Sequence, residues 1–397
     1  MAELLTIEEA QSLILERVRP LPAEPVRLDD AAGRILAADA VAVVDLPPFP
    51  SSAMDGYALR SADTPGVLPI SARIAAGRPA PDDLPRGGAM AIATGGVVPN
   101  GADAVVPIEY VVEHDNGVEI AEPVAPGENI RPRGGDLRAG DTVVGYGTVL
   151  GPARLGALAA AGVAEVACAA RPRAAVVTTG TELRSPGEEL GPGEIYEANG
   201  LILDAQLRSA GALAERLGAV ADDEDAHRHA LGRGLEFDVL VTSGGVSVGP
   251  HDLVRRIEAE LGVEEVFWRV AVKPGKPVAF GVRGTTLVFG LPGNPVSSLV
   301  GFELFVRPAV LALQGHADPR PRFEPGRLAA AAKRNDARDQ LVRARTRGGE
   351  DGAVLLEPLV GQDSHMIARA AGADALVLLP RGEGELAAGA AVRYLRL

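Results

Sequence analysis

The alternation of apolar and polar residues begins with a helical pattern. Apolar side chains recur every three or four positions in the range 7–18, which is the spacing of one face of a helix. Thr6, followed three residues later by Glu9, matches a capping box, in which each residue bonds to the backbone of the other. Prolines from Pro20 onwards cannot continue the helical hydrogen bonding. The chain is therefore predicted to open with one short amphipathic helix.

Residues 40–150 show a different pattern, in which short β-rich runs are interrupted by turn residues. The Asp-Asn-Gly turn at 115–117 lies between two such runs and indicates a β-hairpin. This region is predicted to be all-β or mixed. A helix is predicted at 152–161, because a proline opens it and a glycine follows its end. The proline-bearing stretch 169–173 indicates a domain boundary.

Strand and helix patterns alternate in the segment 174–315. Buried strands are predicted within AAVVTTG, FDVLVTSGG and TTLVFGLPG, and a turn follows each of them. Helical patterns lie after or between these strands, at 200–217, 252–261 and 295–313. Such alternation is typical of an α/β domain with a mostly parallel sheet. Beyond it, the short runs AVLLEPLV, ALVLLP and AVRYLRL predict a small terminal β-barrel or sandwich.

These patterns predict a multi-domain chain of class α/β plus β, with the α/β fold at its centre. The 48 glycines and 31 prolines supply the turns that many short elements need. The predicted domains are 1–50 with 138–170 (N-terminal, helical and linker), 51–137 (β-rich), 171–316 (α/β) and 317–397 (C-terminal β-barrel).

The charge of the chain limits the classes of partner. Its 397 residues carry a formal net charge of -14 at pH 7. Nucleic-acid binding needs a dense basic surface, so no nucleic-acid ligand is expected. Any small anionic ligand must then be held by a local cluster of positive groups.

The single cysteine and the N-terminus indicate a cytoplasmic protein. Cys168 excludes an intramolecular disulfide and lies in an alanine-rich run, so we expect it to be buried. The first ten residues lack the basic and apolar segments of a secretory leader, and no apolar run of about 18 residues is expected to span a membrane. No membrane partner is therefore expected.

Small and polar residues cluster where three predicted strands of the α/β segment end. The stretches are TTGTEL (178–183), TSGGVSVGPHD (242–252) and GLPGNPVSS (290–298). Ligands of open α/β sheets bind at the carboxyl ends of strands, and glycines there let backbone N–H groups approach an oxyanion. No Walker A or Rossmann fingerprint is present. A structural turn and an anion site both stay open for these loops, and Asn294 is expected to cap the helix that follows it.

Carboxylates near these strand ends fit two roles. Asp252 can cap the following helix or bind a metal ion, and the residue pattern alone favours the cap. For Asp222 and Asp223, too, the residue pattern alone favours capping at the start of a helix. His227 and His229 on that helix are expected to be exposed, because residues two apart do not share a helical face.

Lysines are rare and concentrated in this chain. Lysine and arginine number 39 together, but lysine occurs only at 273, 276 and 333. Lys273 and Lys276 share one predicted loop, four and seven residues after Arg269. A lysine acts on an anion as a compact point charge, whereas arginine acts as a two-pronged donor. The pairing favours a functional anion-binding loop.

Four motifs together give the sequence a family resemblance. SSAMDGYA, SGGVSVG, KPGKP and GLPGNPVS resemble those of the MoeA family, the molybdopterin molybdenumtransferases, whose relatives include the E domain of gephyrin. The likeness extends over almost the whole chain. It implies an elongated homodimer of four-domain chains, each with a MogA-like α/β domain that binds molybdopterin. It also implies insertion of molybdenum from molybdate into adenylylated molybdopterin with release of AMP, with Mg²⁺ as cofactor. The implied protein partners are the molybdopterin adenylyltransferase and molybdoenzyme maturation factors.

The resemblance also implies roles for individual residues. The implied catalytic residues are Asp55, Thr94, Asp136, Glu182, Lys273 and Lys276. The implied Mg²⁺ ligands are Asp222 and Asp252. The implied substrate-binding residues are Thr179, Gly180, Ser243, Gly244, Gly245, Ser247, Arg269, Pro292, Asn294, Arg343 and Ser364. The first three of the catalytic set are expected to line the cleft from the partner subunit.

One departure and two other functions belong beside this resemblance. Arg269 follows Trp268 where the family pattern has lysine, so the charge is kept and the donor geometry changes. A molybdopterin adenylyltransferase uses the same α/β module, but about half this length normally suffices for it. A gephyrin-like scaffold without catalysis is the other alternative. Molybdate and tungstate are not distinguished, because the two oxyanions are nearly the same size.

Overall fold

The computed structural model describes residues 4–221, 223–245, 253–349 and 352–397. Within residues 4–170 the structure has two α-helices, three short 3-10 turns and many short strands, as the sequence pattern predicts. The helices are α1 (Ile7–Leu15) and α2 (Pro152–Ala160). The strands are β1 (Ala23–Arg27), β2 (Ala40–Val41), β3 (Ser51–Ser52), β4 (Gly56–Leu59), β5 (Gly66–Leu68), β6 (Ile70–Ile74), β7 (Ala89–Ile92), β8 (Ala104–Pro107), β9 (Val111–His114), β10 (Gly117–Ile120), β11 (Ile130–Arg131), β12 (Thr142–Val144) and β13 (Glu165–Ala169).

Strand pairing in this part joins residues that are far apart in the chain. Strand β1 pairs with β13 and β2 with β12, all antiparallel. Between them, β6, β7, β4 and β8 form one sheet, and β5, β10 and β9 form another. The predicted hairpin is present, since β9 turns directly into β10. Cys168 is fully buried, as expected, and burial raises the pKa of its thiol, which makes it a packing residue.

Helix α1 begins with the predicted capping box. The backbone N–H of Glu9 donates to Thr6 Oγ1 at 3.1 Å, and the N–H of Thr6 donates to Glu9 Oε2 at 2.8 Å. Its apolar face packs into the largest hydrophobic cluster of the chain, which it shares with the central domain. Gln11 Nε2 donates to the carbonyl of Leu304 at 2.9 Å within that interface. The N-terminal helix therefore fastens to the central domain.

The central part of the chain alternates strands and helices. Its strands are β14 (Arg173–Thr179), β15 (Leu183–Arg184), β16 (Ile195–Tyr196), β17 (Leu213–Val220), β18 (Val239–Ser243), β19 (Glu264–Trp268), β20 (Val272–Lys273), β21 (Ala279–Arg283) and β22 (Thr286–Leu291). Its helices are α3 (Asn199–Ser209), α4 (Glu224–Gly234), α5 (Leu253–Glu260), α6 (Pro295–Gly301) and α7 (Arg307–Leu313), with a π-helical turn at Phe302–Val306.

A six-stranded sheet organises this domain, in the order β17-β14-β18-β22-β21-β19. The first four strands run parallel, β21 runs antiparallel to its neighbours β22 and β19, and β19 therefore has the direction of the first four. Hydrophobic clusters cover both faces, with Val241 and Phe289 on one side and Leu240 and Val288 on the other. Such two-sided burial explains why these strands read as continuous apolar runs. The predicted α/β domain with a mostly parallel sheet is confirmed.

Two expectations for this domain are wrong. Helix α3 ends at Ser209, not at 217, because Gly211 takes a positive φ of 93° and the following residues pair with β14 as strand β17. His227 is buried, with only 2% of its surface exposed, since α4 turns it toward the sheet and its Nδ1 lies 2.9 Å from the Asp223 carbonyl oxygen. His229 is exposed as expected.

The helical run Pro295–Leu313 is long and apolar enough, by length and composition alone, to cross a membrane. Its most apolar window is 72% buried inside the protein. The run is therefore the core helix of the central domain, packed against α1 and α3.

The C-terminal part forms the predicted barrel. Its strands are β23 (Glu324–Leu328), β24 (Ala332–Lys333), β25 (Asp339–Gly348), β26 (Val354–Pro358), β27 (Ala375–Leu379), β28 (Glu385–Leu386) and β29 (Ala391–Arg396), with one short helix, α8 (Ile367–Ala370). Strands β25, β26, β23, β29 and β27 close into a ring, since β27 pairs back to β25. Strand β20 of the central part adds to β25 in parallel, with Lys273 opposite Gln340. This pairing brings the lysine loop against the barrel.

Candidate active site

Three strand ends meet at one edge of the central sheet. Strands β14, β18 and β22 are neighbours and parallel, so the polar stretches that follow them converge. A Cβ placed on Gly244 would lie 2.6 Å from Thr179 Oγ1, and one on Gly293 would lie 3.7 Å from the Gly244 Cα. The first two loops are therefore in contact with each other, and the third touches the second. This confirms that the strands end together, as the α/β pattern predicted.

Glycines are required where these loops touch. Gly244 and Gly245 have φ values of 98° and 63°, a region that other residues rarely adopt. A Cβ on Gly245 would clash with the side chain of Val254 at the start of α5. Gly180 precedes Glu182, and a Cβ on Gly180 would lie 2.6 Å from the Glu182 carboxylate, which folds back over it. The exposed Glu182 thus holds its oxygens at the strand end.

A hydrogen-bonded serine pair fixes the loop after β22. Ser243 and Ser298 are buried, their hydroxyl oxygens lie 3.0 Å apart, and both lie within hydrogen-bonding distance of the Pro292 carbonyl oxygen. Asn199 Nδ2 donates to Ser243 Oγ and to the Gly293 carbonyl oxygen, each at 2.8 Å. The Ser243 hydroxyl is thereby engaged within the protein. Its contribution is to hold two loops in register.

The lysine loop borders a cleft of about 440 Å³ beside the loop that follows β22. The cleft lies between the central domain and the barrel. From the central domain it is lined by residues that include Lys273, Lys276, Pro292, Asn294 and Ser297. From the barrel it is lined by residues that include Arg338, Gln340, Gln362, Asp363, Ser364 and His365.

Asn294 joins the two walls of this cleft. It occupies the cap position of α6 as predicted, but its side chain makes no capping hydrogen bond. Instead its Nδ2 donates to Ser364 Oγ at 2.9 Å, and the Val296 N–H donates to the Ser364 carbonyl oxygen at 3.0 Å. The barrel loop that carries Ser364 is therefore docked on the start of α6.

The cleft lysines keep their charge unpaired. All ion pairs among the described residues use an arginine, except one that uses His114. Both Lys273 and Lys276 are exposed and lie at the cleft wall. An anion entering the cleft meets two ammonium groups that no described carboxylate neutralises.

Arg343 lies behind the barrel loop, not in the cleft wall. Its side chain is almost fully buried, with 1% of its surface exposed, and burial lowers the pKa of the guanidinium from its ordinary value. The guanidinium donates to the carbonyl oxygens of Met366, Gly361 and Asp363 at 2.7, 2.9 and 3.1 Å. Gln362 Oε1 accepts from the Arg343 backbone N–H at 3.0 Å. Arg343 therefore holds the loop that presents Ser364.

Arg269 stacks on a neighbouring ring. Its guanidinium carbon lies 3.7 Å from the centre of the Trp268 ring, and that of Arg255 lies 3.9 Å from the same centre. Its backbone has a φ of 102°, and its N–H donates to the Val278 carbonyl oxygen. The Trp268 ring is thus engaged with two cations.

Asp55 and Thr94 form a pair in the N-terminal β region. Thr94 donates to Asp55 Oδ1 from its backbone N–H at 2.7 Å and from its hydroxyl at 3.0 Å. These two hydrogen bonds lower the pKa of the Asp55 carboxyl. Asp136 is exposed, on a turn where its backbone N–H donates to the Leu46 carbonyl oxygen at 3.0 Å. Within the described residues, no hydrogen bond or ion pair links these three residues to the strand-end loops.

Some predicted residues lie outside the described residues. They are Asp222, Ser247 and Asp252. Among the residues that are described, no group of three or more histidines, cysteines, aspartates or glutamates is placed to hold a metal ion. Glu182 remains as an accessible carboxylate at the same sheet edge, of the oxygen-donor kind that Mg²⁺ prefers.

Sequence reasoning missed several residues of this site. Asn199, Ser298 and Arg338 all contribute to the loops or the cleft. Asn199 is the first residue of α3 and follows the cap residue Ala198, so it gives no capping signal. Its partners lie 44 and 94 residues away and could not have been identified from the local pattern.

Comparison with known proteins gives one family along the whole chain. Residues 5–162 match the model of the MoeA N-terminal region (domain I and II). Residues 175–312 match a probable molybdopterin binding domain, and residues 325–397 match the MoeA C-terminal region (domain IV).

Individual relatives are similar over their full length. The molybdopterin molybdenumtransferase 2 of Mycobacterium tuberculosis is 37% identical over 399 residues, covering 97% of each chain. The molybdopterin molybdenumtransferase of Haemophilus influenzae is 34% identical over 398 residues, covering 98% of each chain. The crystal structure of the molybdopterin biosynthesis MoeA protein of Pyrococcus horikoshii OT3 is similar with a TM-score of 0.86 at 27% identity, covering 100% of each chain.

Proposed function

Since the chain belongs to the MoeA family, we propose that it inserts molybdenum from molybdate into adenylylated molybdopterin and releases AMP. The chain is a transferase of molybdenum cofactor biosynthesis, and the resemblance noted in its motifs is confirmed. The assignment of roles to individual residues is our own proposal. The four-part division of the chain, with the cleft between its third and fourth parts, belongs to that proposal too.

The observation that carries the proposal is the cleft between the lysine loop and the barrel. Its ligand would be an oxyanion, for which Lys273 and Lys276 supply unpaired charge. Ser364 and Asn294 supply polar groups within hydrogen-bonding distance of each other. In a chain with a net charge of -14, such a concentration of free ammonium groups is a specific feature. We assign this cleft to molybdate.

The adjoining strand-end loops are assigned to the phosphate part of the pterin substrate. Thr179 and Gly245 would supply a hydroxyl and a backbone N–H at the carboxyl edge of the sheet. Gly180 and Gly244 would allow close approach of the phosphate, since their own N–H groups donate to the carbonyl oxygens of Val220 and Leu291. Lys273 and Lys276 would stabilise the negative charge that develops as the phosphoanhydride breaks and AMP leaves. Ser243 acts indirectly, by holding the loop of Pro292 through the serine pair.

Mg²⁺ is part of the proposal as the group that lets carboxylates serve an anionic substrate. Asp222 and Asp252 would hold the ion, since each follows a strand end in sequence, at β17 and β18. Glu182, accessible beside Gly180, would be a further ligand or a base. When bound, the ion would neutralise phosphate charge that carboxylates alone would repel. Arg269, which stands where the family pattern has lysine, stacks on Trp268.

A homodimer is part of the proposal, because no hydrogen bond or ion pair of the described residues links Asp55, Thr94 or Asp136 to the strand-end loops of the same chain. The Asp55–Thr94 pair is exposed and ordered by its own hydrogen bonds. The partner subunit would present it to the strand-end loops. We further propose that the enzyme works in the cytoplasm, receives its substrate from the molybdopterin adenylyltransferase and passes its product to molybdoenzyme maturation factors.

Release of AMP tests this proposal. Purified protein is mixed with adenylylated molybdopterin and Mg²⁺, with and without molybdate, in parallel with the Lys276→Ala, Asp252→Ala and Arg283→Ala variants. Arg283 is the matched control, because it is an exposed cation without an ion-pair partner among the described residues. It ends β21 and lies opposite Thr286, at the start of β22 and away from the strand-end loops. We expect molybdate-dependent release from the wild type and from Arg283→Ala, and its loss in the other two variants.

Other results would reassign the protein. Adenylylation of free molybdopterin with ATP, in place of AMP release, would identify an adenylyltransferase. Absence of both AMP release and adenylylation would favour a scaffold without catalysis. Release that Lys276→Ala leaves intact would reject the assigned cleft while keeping the reaction. Parallel titrations with molybdate and tungstate would determine which oxyanion is used.

A further inference from the structure

A second cleft adjoins the first and shares a wall with it. It has a volume of about 470 Å³ and is lined by Lys273, Lys333, Arg334, Asn335, Asp336, Ala337, Arg338 and Gln340. Lys273, Arg338 and Gln340 line both clefts. The parallel pairing of β20 with β25 places these shared residues side by side. All three lysines of the chain therefore border one continuous pair of clefts.

Positive charge dominates the second cleft. Four of its lining residues are cations and one, Asp336, is a carboxylate. Lys333 is exposed, and Glu385 lies opposite it in the register of β24 and β28. Nevertheless the ion pairs of the described chain include neither Lys333 nor Arg338. The cleft thus keeps an excess of positive charge in an acidic protein.

Arg334 is held in place before any ligand arrives. Its Nε donates to the Pro380 carbonyl oxygen at 3.0 Å, and its Nη2 donates to the Arg381 carbonyl oxygen at 2.6 Å. A Cβ on Gly382 would collide with the guanidinium, so the glycine is what leaves room for it. Both anchors are neutral carbonyls, which leaves the charge and the other N–H groups available. A cation fixed in this way loses little side-chain entropy on binding an anion.

We propose that this second cleft is a separate binding site for a tetrahedral oxyanion, next to the molybdate cleft and joined to it through Lys273. The ligand class is a small dianion such as molybdate, or the terminal phosphate of a nucleotide. This inference rests on the proposed function, since it takes the first cleft to be the place where molybdate reacts. The second cleft would raise the local concentration of the oxyanion beside it.

Two variants with opposite charge effects test the site. Lys333→Ala removes one cation, and Asp336→Asn removes the one carboxylate of the lining. Binding of molybdate to the full-length protein is measured by equilibrium dialysis at low ionic strength, with sulfate and AMP as competitors. Lys276→Ala reports on the first cleft, and Arg283→Ala is again the control for loss of an exposed cation.

The expected results differ in direction. The wild type binds two molybdate ions per chain. Lys333→Ala lowers the affinity for one of them about fivefold, as expected for the loss of one partly screened charge. Asp336→Asn raises the affinity for that same ion, a gain that loss of folded protein could not produce. In turnover, Lys333→Ala raises the KM for molybdate and leaves kcat unchanged. Competition by sulfate indicates free oxyanion as the ligand, whereas competition by AMP alone indicates the nucleotide phosphate.

Failure of the inference is separable from failure of the proposed function. One bound ion that responds to Lys276→Ala but not to Lys333→Ala or Asp336→Asn would overturn the second site and leave the first intact. Binding that ignores Lys276→Ala would count against the molybdate cleft itself. Equal weakening by Arg283→Ala would show a general charge effect and would also overturn the second site.

Discussion

Replacement of Arg343 by methionine measures how much the buried arginine contributes to the barrel loop. In the wild type, its side chain donates to the carbonyl oxygens of Met366, Gly361 and Asp363. Each hydrogen bond from a charged donor contributes about 1.5–3 kcal/mol. The sum overestimates the loss, because the loop can open and let water reach its carbonyls. We therefore expect Arg343→Met to lower the free energy of unfolding by about 3–4 kcal/mol, the range for breaking a buried polar network.

The local prediction is sharper than the global one. Arg343→Met should release the loop 361–366, so hydrogen exchange of its amides should accelerate while the amides of β22 keep their protection. The KM for molybdate should rise, because Ser364 moves with the loop. Arg343→Lys keeps a charge and should restore part of the stability. Urea unfolding and hydrogen exchange check these statements. A loss below about 1 kcal/mol combined with abolished molybdate binding would refute the reasoning, because Arg343 would then act on the ligand directly.

Three further predictions concern the loops and the N-terminal pair. Gly244→Ala should abolish activity, because its Cβ would lie 2.6 Å from Thr179 Oγ1. The matched Gly156→Ala in α2 has open space around its Cβ and should stabilise the helix by about 0.5–1 kcal/mol. Activity assays and thermal melts check both. Asn199→Ala removes two hydrogen bonds and should lower the free energy of unfolding by about 1–2 kcal/mol. It should also raise the KM for the pterin substrate. Unchanged kinetics would show that the serine pair alone holds the loops. The pKa of Asp55 is depressed in the folded state, so its stabilising contribution is present above the ordinary value of 3.8 and is lost as the pH falls through the lower folded value. Thr94→Val removes one of the two hydrogen bonds to Asp55 and should make the melting temperature less sensitive to acid. An unchanged dependence of the melting temperature on pH below 3.8 would show that these hydrogen bonds do not link Asp55 to stability.

Local signals in the sequence were sufficient for most of the fold. The capping box of Thr6 and the hairpin after His114 each depend on residues close in the chain. The convergence of three strand ends was predicted from the alternation of strand and helix patterns, each of which is local. The helix predicted over 200–217 failed at Gly211, where apolar residues that suit a helix continue as strand β17. Pairing with β14 decided that segment, and such tertiary context is absent from a local pattern.

The interior of the candidate site was harder to predict than its outline. Ser243 was expected among the substrate-binding residues, but its hydroxyl is engaged with Ser298, 55 residues further on. Arg343 was expected there as well, and it lies behind the loop that it holds. The residue types and positions identify polar loops, but only the packing shows whether a polar group faces the cleft or its neighbours.

The lysines show how far composition can lead. Because arginine forms nearly all ion pairs of the described chain, each rare lysine is a charge left free, and two of them were singled out by their shared loop. Lys333 stands apart in sequence and carried no such signal. The pairing of β20 with β25 brings the strand of Lys273 to the start of the barrel, where Lys333 precedes the turn into β25. An acidic enzyme that binds oxyanions must keep cations free of its own carboxylates. Segregating that task to lysines, while arginines with their two-pronged geometry take up the ion pairs, achieves this within one chain.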